Sequence, residues 1–287
     1  MRYFDESDGV YAVKNGRRTR LKHTYVLDAV VEGDTLKSGK FLSGVTTVIH
    51  ETSGAGGLIQ WAADMAVEYI RDNSVTYIEC LNLLGGIKQE VLPKEYSALV
   101  VTTDTLTEAR LAHRKKKEAA GQKGTDLHAL AENFIGRCME LNGGYSKDMG
   151  LEVDKPIADF IAWAQEKKVK FIASEKKMFN AEYAIAGTCD FVAEIDGKLV
   201  IGDVKTFPKM HSADPFIQMG GYSLMYPEKI DGTVVVKICD PTDPRLAKYK
   251  TDPFAVYERF AVEEDKDMFL TRLKMYRYNE AFVSPKN

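Results

Sequence analysis

The run KLVIGDVKT, residues 198–206, ends an apolar strand pattern on Asp203 and Lys205, a carboxylate and an ammonium two positions apart. Alternation along a strand sends both to the same face. An acid-x-Lys triplet begins at Glu166, Glu175, Asp196, Asp203 and Glu264, so the triplet alone selects nothing. What distinguishes Asp203 is the Asp196-Gly197 pair between FVAEI and KLVIG, because Asp-Gly suits the positive φ of a two-residue hairpin loop. Such a loop sets Ile195 opposite Lys198 and makes every facing pair of residue numbers sum to 393. Asp190 then faces Asp203, and Thr188 faces Lys205. Directly opposed Cβ atoms stand about 4.5–5.5 Å apart, and like charges so placed repel. The repulsion is relieved if one carboxyl keeps its proton or if a divalent cation neutralises both, and two oxygen donors at that spacing suit Mg²⁺ or Mn²⁺. Lys205 would complete a metal-plus-cation constellation.

The elements that must position these groups follow from periodicity. From residue 169 the apolar period is two: VKFIASEKKMF, TCDFVAEI, KLVIGDVKT, TVVVKIC and AVYERFAV read as strands. The segment ADPFIQMGGYSLMY, 213–226, is a predicted helix, which puts Gln218 and Tyr222 on one face beside the flexible pair Gly220-Gly221. DKDMFLTRLKMYRYNEAF is a closing amphipathic helix. Toward the N-terminus, residues 1–37 alternate short apolar runs with turns and predict a β-rich cap whose basic stretch KNGRRTRLK is a solvated hairpin tip. A helix is predicted at about 56–72, with Trp61 in a core. Thr105 and Glu108 have capping-box spacing and predict a helix over 105–120 that carries the cations Arg114–Lys117. A second helix, GTDLHALAENFIGRCMELN, buries Leu127, Leu130, Ala131, Phe134, Ile135 and Cys138, with His128 and Glu132 at the border of that stripe.

With 287 residues, 45% hydrophobic and 28% charged, the chain can bury a sizeable core. It shows neither a membrane-length apolar run nor the layout of a signal peptide, and reads as cytoplasmic. The four cysteines, Cys80, Cys138, Cys189 and Cys239, form no C-x-x-C pair and are expected to be buried thiols. A net charge of −3 excludes a protein that coats nucleic acid by bulk charge but allows a local basic groove. No repeat or linker interrupts the chain. The economical reading is one α/β (α+β) domain over 1–287, with a cap at 1–40, a helical part at 41–150 and an α/β core at 151–287.

Four motifs in order, GTDLH ending on His128, GTCD ending on Asp190, GDVKT with Asp203 and Lys205, and Gln218-Met-Gly-Gly-Tyr222, resemble the PD-(D/E)XK nuclease superfamily, specifically its RecB-like branch of phage exonucleases, the mitochondrial genome-maintenance exonuclease and CRISPR-adaptation nucleases. The resemblance spans about 120–226, and the segment at 43–66 looks like the helical entry of phage members. It implies a restriction-endonuclease-like core, a mixed sheet flanked by helices. It makes His128, Asp190, Asp203 and the backbone carbonyl of Val204 metal ligands for Mg²⁺ or Mn²⁺, with Lys205 acting on the attacking water and the phosphate. Glu175 resembles the supporting acid that often opens this core. Gln218 and Tyr222 would contact DNA, and Thr206 could donate to a phosphate or simply end the strand. Some relatives hold an iron–sulfur cluster with one cysteine before the core and three after it; only Cys239 follows residue 226 here, so no cluster is expected. The implied activity is metal-dependent exonucleolytic hydrolysis of DNA in phage recombination or repair, alongside a phage recombination or single-strand-binding partner. An endonuclease on the same core and a catalytically silent nucleic-acid-binding protein are the alternatives.

Overall fold

The computed structural model describes residues 1–14, 17–54, 56–76, 99–141 and 155–283. Strands β1 (Arg2–Phe4), β2 (Tyr11–Lys14), β3 (Arg17–Arg20), β4 (Thr24–Glu32) and β5 (Thr35–Gly44) come first, then helices α1 (Val45–Thr52) and α2 (Gly56–Asn73). Short strands β6 (Val75–Thr76) and β7 (Leu99–Val100) precede α3 (Thr103–Glu140) and α4 (Lys155–Glu166). The remainder alternates: β8 (Lys170–Asn180), β9 (Ile185–Ile195), β10 (Lys198–Lys205), α5 (Asp214–Ser223), β11 (Gly232–Ile238), α6 (Pro244–Tyr249), β12 (Phe254–Arg259) and α7 (Val262–Val283).

Contacts divide the chain into two units, one of residues 1–53 with 124–287 and one of residues 54–123. The helical stretch expected over 41–150 is therefore shared between them. The smaller unit contains α2, the β6–β7 ribbon and the first part of α3. Met65 and Ala109 are buried there, while Trp61 is only half-buried. Two helices expected at 105–120 and from 124 are one 38-residue helix, α3. Gly121 and Gly124 weaken a helix by about 1 kcal/mol each without breaking it. The capping residue also differs: Thr102 Oγ1 accepts from the Thr105 N–H, and Glu108 pairs with Lys115 instead of reaching back to the cap.

In the larger unit one ten-stranded mixed sheet runs β1-β4-β5-β9-β10-β11-β12, with β8 on β9 and the β2–β3 hairpin attached to β5. The N-terminal strands gather a small core of their own, Phe4, Val10, Leu21, Val26 and Leu36. They join the central sheet where Ser43 and Gly44 of β5 pair in parallel with Ile185 and Ala186 of β9. Within the basic stretch Arg17–Arg20 are exposed, and its charges are used locally: Arg18 pairs with Asp34, and Lys22 with Glu6 at 2.5 Å.

Helices cover both faces of the C-terminal part of the sheet, so apolar side chains of alternate parity are buried on opposite sides. One core gathers Ala131, Phe134, Ile135 and Cys138 of α3 and Phe160 of α4 against Phe191, Val200, Val204 and Val236. The other sets Val48 of α1, Ile217 and Tyr222 of α5 and Phe269 of α7 against Val192, Ile201 and Val235. Burying each large aliphatic or aromatic side chain contributes about 1.5–3 kcal/mol. Helix α5 lies close on α7 because Gly220 and Gly221 carry no Cβ: one at Gly220 would stand 2.5 Å from the backbone carbon of Asp265, and one at Gly221 2.7 Å from the Phe269 ring. The backbone approach these glycines permit is that of a neighbouring helix. Cys138, Cys189 and Cys239 are free, buried thiols, and burial pushes Cys138 up to about 11 and Cys189 up to about 12. Cys80 lies outside the described residues. Among the described residues no helix is long and apolar enough to cross a membrane.

Candidate metal and phosphate site

The β9–β10 hairpin has the expected register: Lys198 faces Ile195, and the pairing runs on to Gly202 opposite Phe191. Gly202 is glycine because the Phe191 ring lies across it; a Cβ there would fall 1.8 Å from a ring carbon. One step beyond, where Asp190 and Asp203 would meet, the ladder stops. Asp190 Oδ2 instead accepts the Val204 N–H at 2.7 Å, so a side chain takes the place of the backbone partner. Thr188 does not face Lys205. It pairs with Lys177 of β8, and its hydroxyl meets the Tyr25 hydroxyl at 3.0 Å.

The strand on the other side of β9 is irregular at the same level. Glu175 of β8 has a left-handed backbone, φ 45°, uncommon and strained for a residue with a Cβ. It lies with Asp190 between the paired positions Ser174–Phe191 and Lys176–Cys189. Across this point the strict alternation of sides fails, since Cys189 and Val192, three residues apart, are buried in the same core.

Asp203 is 1% exposed, and its Oδ2 lies 2.7 Å from Lys205 Nζ yet accepts no well-directed hydrogen bond. Lys205 also donates to Gln218 Oε1 at 3.3 Å. Gln218 Nε2 donates in turn to the Tyr222 hydroxyl at 2.8 Å, and Thr46 Oγ1 of α1 stands 3.4 Å from the same hydroxyl. Gln218 and Tyr222 do share a face one turn apart, as the sequence predicts, but both are buried, so what they touch is Lys205 and the core. The Tyr222 ring fits because Gly187 leaves it space; a Cβ there would be 2.7 Å from a ring carbon. Thr46 carries no signal in the sequence, since its role depends on α1 packing against α5.

His128 comes to the site on α3, its Nδ1 3.7 Å from Asp190 Oδ2. The glycine of GTDLH has a steric reason: a Cβ on Gly124 would lie 2.8 Å from Thr206 Oγ1, so α3 meets the end of β10 at that glycine. Val204 is buried in the core between the two acids.

Electrostatics follow from crowding. Burial, then the Asp203 carboxylate, push Asp190 well above the usual carboxylate range; Lys205 and the Val204 N–H pull the other way without offsetting them. Burial raises Glu175, with Glu132 and Asp203 adding to it. For Lys205 burial is the largest single influence and pulls down, but Asp203 and Asp190 together hold the ammonium above its ordinary value. Burial lowers His128, and Lys205 reinforces this against the pull of Asp203. The shift favours the neutral imidazole, the form in which a histidine ligates a metal.

A buried carboxylate oxygen without a hydrogen bond and a second crowded carboxylate are oxygen donors that suit Mg²⁺ or Mn²⁺, and the imidazole is a nitrogen donor of the kind that transition-metal ions accept more readily than Mg²⁺ does. The donor types fit. Among the described residues no three His, Cys, Asp or Glu side chains close round a common point. In this arrangement Lys205 lies against Asp203, and crowding makes Asp190 keep its proton to a higher pH than an exposed aspartate does.

No protein-family model matches the chain, and no curated protein matches it. A solved structure described as "Crystal structure of SSO0001" is similar over 40% of this chain and 55% of that one, about half its length, at 13% identity and a TM-score of 0.24. A likeness that slight bears on neither activity nor ligands.

Proposed function

We propose that the protein is a divalent-metal-dependent deoxyribonuclease that degrades DNA from its ends, built on a restriction-endonuclease-like core. The observation that carries this reading is the crowding of Asp190 and Asp203 at the broken end of the β9–β10 ladder, with Lys205 held against Asp203 at 2.7 Å. A buried acid with a half-buried one crowded against it is costly in a purely structural role, and a stable fold has no need of the pair. Phosphodiester hydrolysis does need negative ligands for a cation and a fixed positive charge beside the phosphate.

His128, Asp190 and Asp203 would hold Mg²⁺ or Mn²⁺, with the Val204 carbonyl as a further donor. When bound, the ion lowers the pKa of a coordinated water and draws charge from the phosphoryl oxygens. Lys205 stays protonated and faces the same space. It balances charge that builds on the phosphate, while Gln218, fixed by the Tyr222 hydroxyl that Thr46 also meets, limits where the ammonium can point. Glu175 adds negative charge on the far side of Asp190 and keeps its own proton to higher pH than an exposed glutamate. Degradation in phage recombination or repair is the biological setting we propose.

The test is digestion of linear and closed circular single-stranded DNA with Mg²⁺ or Mn²⁺ present. Loss of the linear DNA with survival of the circle supports the proposal. Cutting of the circle assigns an endonuclease on the same core, and survival of both rules out nuclease activity.

A further inference from the structure

Beside the acidic site, the N-terminal strands carry an aromatic ridge with no part in the chemistry above. Tyr3 of β1 and Tyr25 of β4 are directly paired across the sheet, their ring centroids 4.8 Å apart and tilted by 44°. The Tyr3 hydroxyl bonds to His23 Nδ1 at 2.6 Å, and His23 itself is exposed with a left-handed backbone, φ 46°. Lys177 of β8 holds its ammonium 4.9 Å from the centre of the Tyr3 ring.

A cross-strand aromatic pair can be explained by packing alone, at about 0.2–1 kcal/mol. Three features go beyond that. The Tyr25 hydroxyl reaches Thr188 at 3.0 Å, so the ridge is fastened to the strand that carries Asp190. Thr188 lies two residues before Asp190, about 7 Å along a strand, a step that one nucleotide spans. Thr188 is also the pairing partner of Lys177, so rings, cation and acidic site follow one another along β8 and β9. Asp5 and Asp8 lie near Tyr3, but Asp5 accepts from the Ser7 N–H and Asp8 from the Asp5 N–H.

We propose that Tyr3, Tyr25 and Lys177 form a nucleotide subsite that takes one unpaired base of a single DNA strand, stacked on the rings, with its phosphate at Lys177, while the neighbouring phosphodiester lies at Asp190 and Asp203. This rests on the nuclease reading and extends it: the strand entering the site is single, and its bases are gripped through their faces, without preference for sequence. Stacking on aromatic rings combined with a cation is how proteins hold single strands irrespective of base.

The test is fluorescence anisotropy with a labelled oligothymidylate in EDTA, which keeps the strand intact, for wild type, Tyr3→Leu, Tyr3→Phe and Lys177→Gln, each checked for an unchanged thermal midpoint. Tyr3→Leu weakens binding by about tenfold and Tyr3→Phe recovers it. An oligomer of abasic residues is bound equally by wild type and Tyr3→Leu. Lys177→Gln reduces the slope of log affinity against log salt by about 0.7. If Tyr3→Leu binds oligothymidylate as tightly as wild type, the subsite is overturned, even where Asp203→Asn still abolishes cutting. If wild type neither binds nor cuts DNA, the nuclease reading falls and the subsite with it.

Discussion

The Asp190 carboxylate accepts the Val204 backbone N–H at 2.7 Å, at the position where the β9–β10 ladder would otherwise continue. One acid thus replaces a ladder bond in order to stand beside another acid. Asparagine keeps an acceptor oxygen there and loses the charge. Asp190→Asn should therefore stabilise the metal-free protein by on the order of 1 kcal/mol at neutral pH while abolishing cleavage, a trade of function for stability. Chemical denaturation beside a nuclease assay checks both halves.

The same residue sets a pH dependence. Asp190 is raised above the ordinary 3.8, by burial first and then by Asp203, so the folded state keeps its proton to a higher pH than the unfolded chain does. Between those two pKa values the folded state binds more protons, and stability falls as pH rises, by at most about 1.4 kcal/mol per pH unit for one group. Glu175 acts in the same direction. Denaturation in EDTA from pH 4 upward should show wild type losing stability relative to Asp190→Asn, and added Mg²⁺ should reduce the difference.

Gly124 and Thr206 form a steric pair. Alanine at 124 gains about 1 kcal/mol of helix propensity, but its Cβ would lie 2.8 Å from Thr206 Oγ1. Overpacking of this kind costs about 1–3 kcal/mol, so Gly124→Ala alone should be neutral to destabilising by about 2 kcal/mol. In a Thr206→Ala background the clash is gone and the same change should stabilise. A double-mutant cycle by thermal denaturation measures the coupling, expected at about 0.5–3 kcal/mol.

Tyr222 tests whether the Gln218 face serves the strand or the lysine. Tyr222→Phe removes the hydroxyl that Gln218 donates to and Thr46 meets. Leaving the Gln218 amide unpaired costs about 1–3 kcal/mol of stability. With Lys205 less firmly held, kcat should fall roughly tenfold while DNA affinity and KM stay near wild type. A large loss of DNA affinity with kcat preserved would instead make this face a direct DNA contact.

The hairpin was legible in the sequence because Asp196-Gly197 determines the loop and the loop determines every facing pair as far as Gly202. The strands from residue 169 onward and the helices α5 and α7 follow from their period in the same way, whereas the short helix α6 was not expected. Four things were not legible. The break at Asp190 lies level with the left-handed backbone of Glu175 on β8, and no local residue pattern marks a glutamate that departs from β geometry. The fusion of two expected helices into α3 reflects propensity losses too small to end a helix of that length. The role of Gln218 and Tyr222 depends on the depth of burial of α5, which Gly220 and Gly221 determine through contacts with α7, a helix about 50 residues further along the chain. Tyr25 and Thr188 meet across 163 residues of sequence, a separation beyond any local reading.

The central claim is that Asp203 and its neighbours cut DNA with a divalent ion, and it is tested most directly by Mn²⁺-dependent release of nucleotides from labelled linear single-stranded DNA by wild type and Asp203→Asn. The account predicts release by wild type that EDTA stops, and a loss on the order of 10³-fold in Asp203→Asn with its fold intact. Equal release by the two proteins, or release that persists in EDTA, would contradict it.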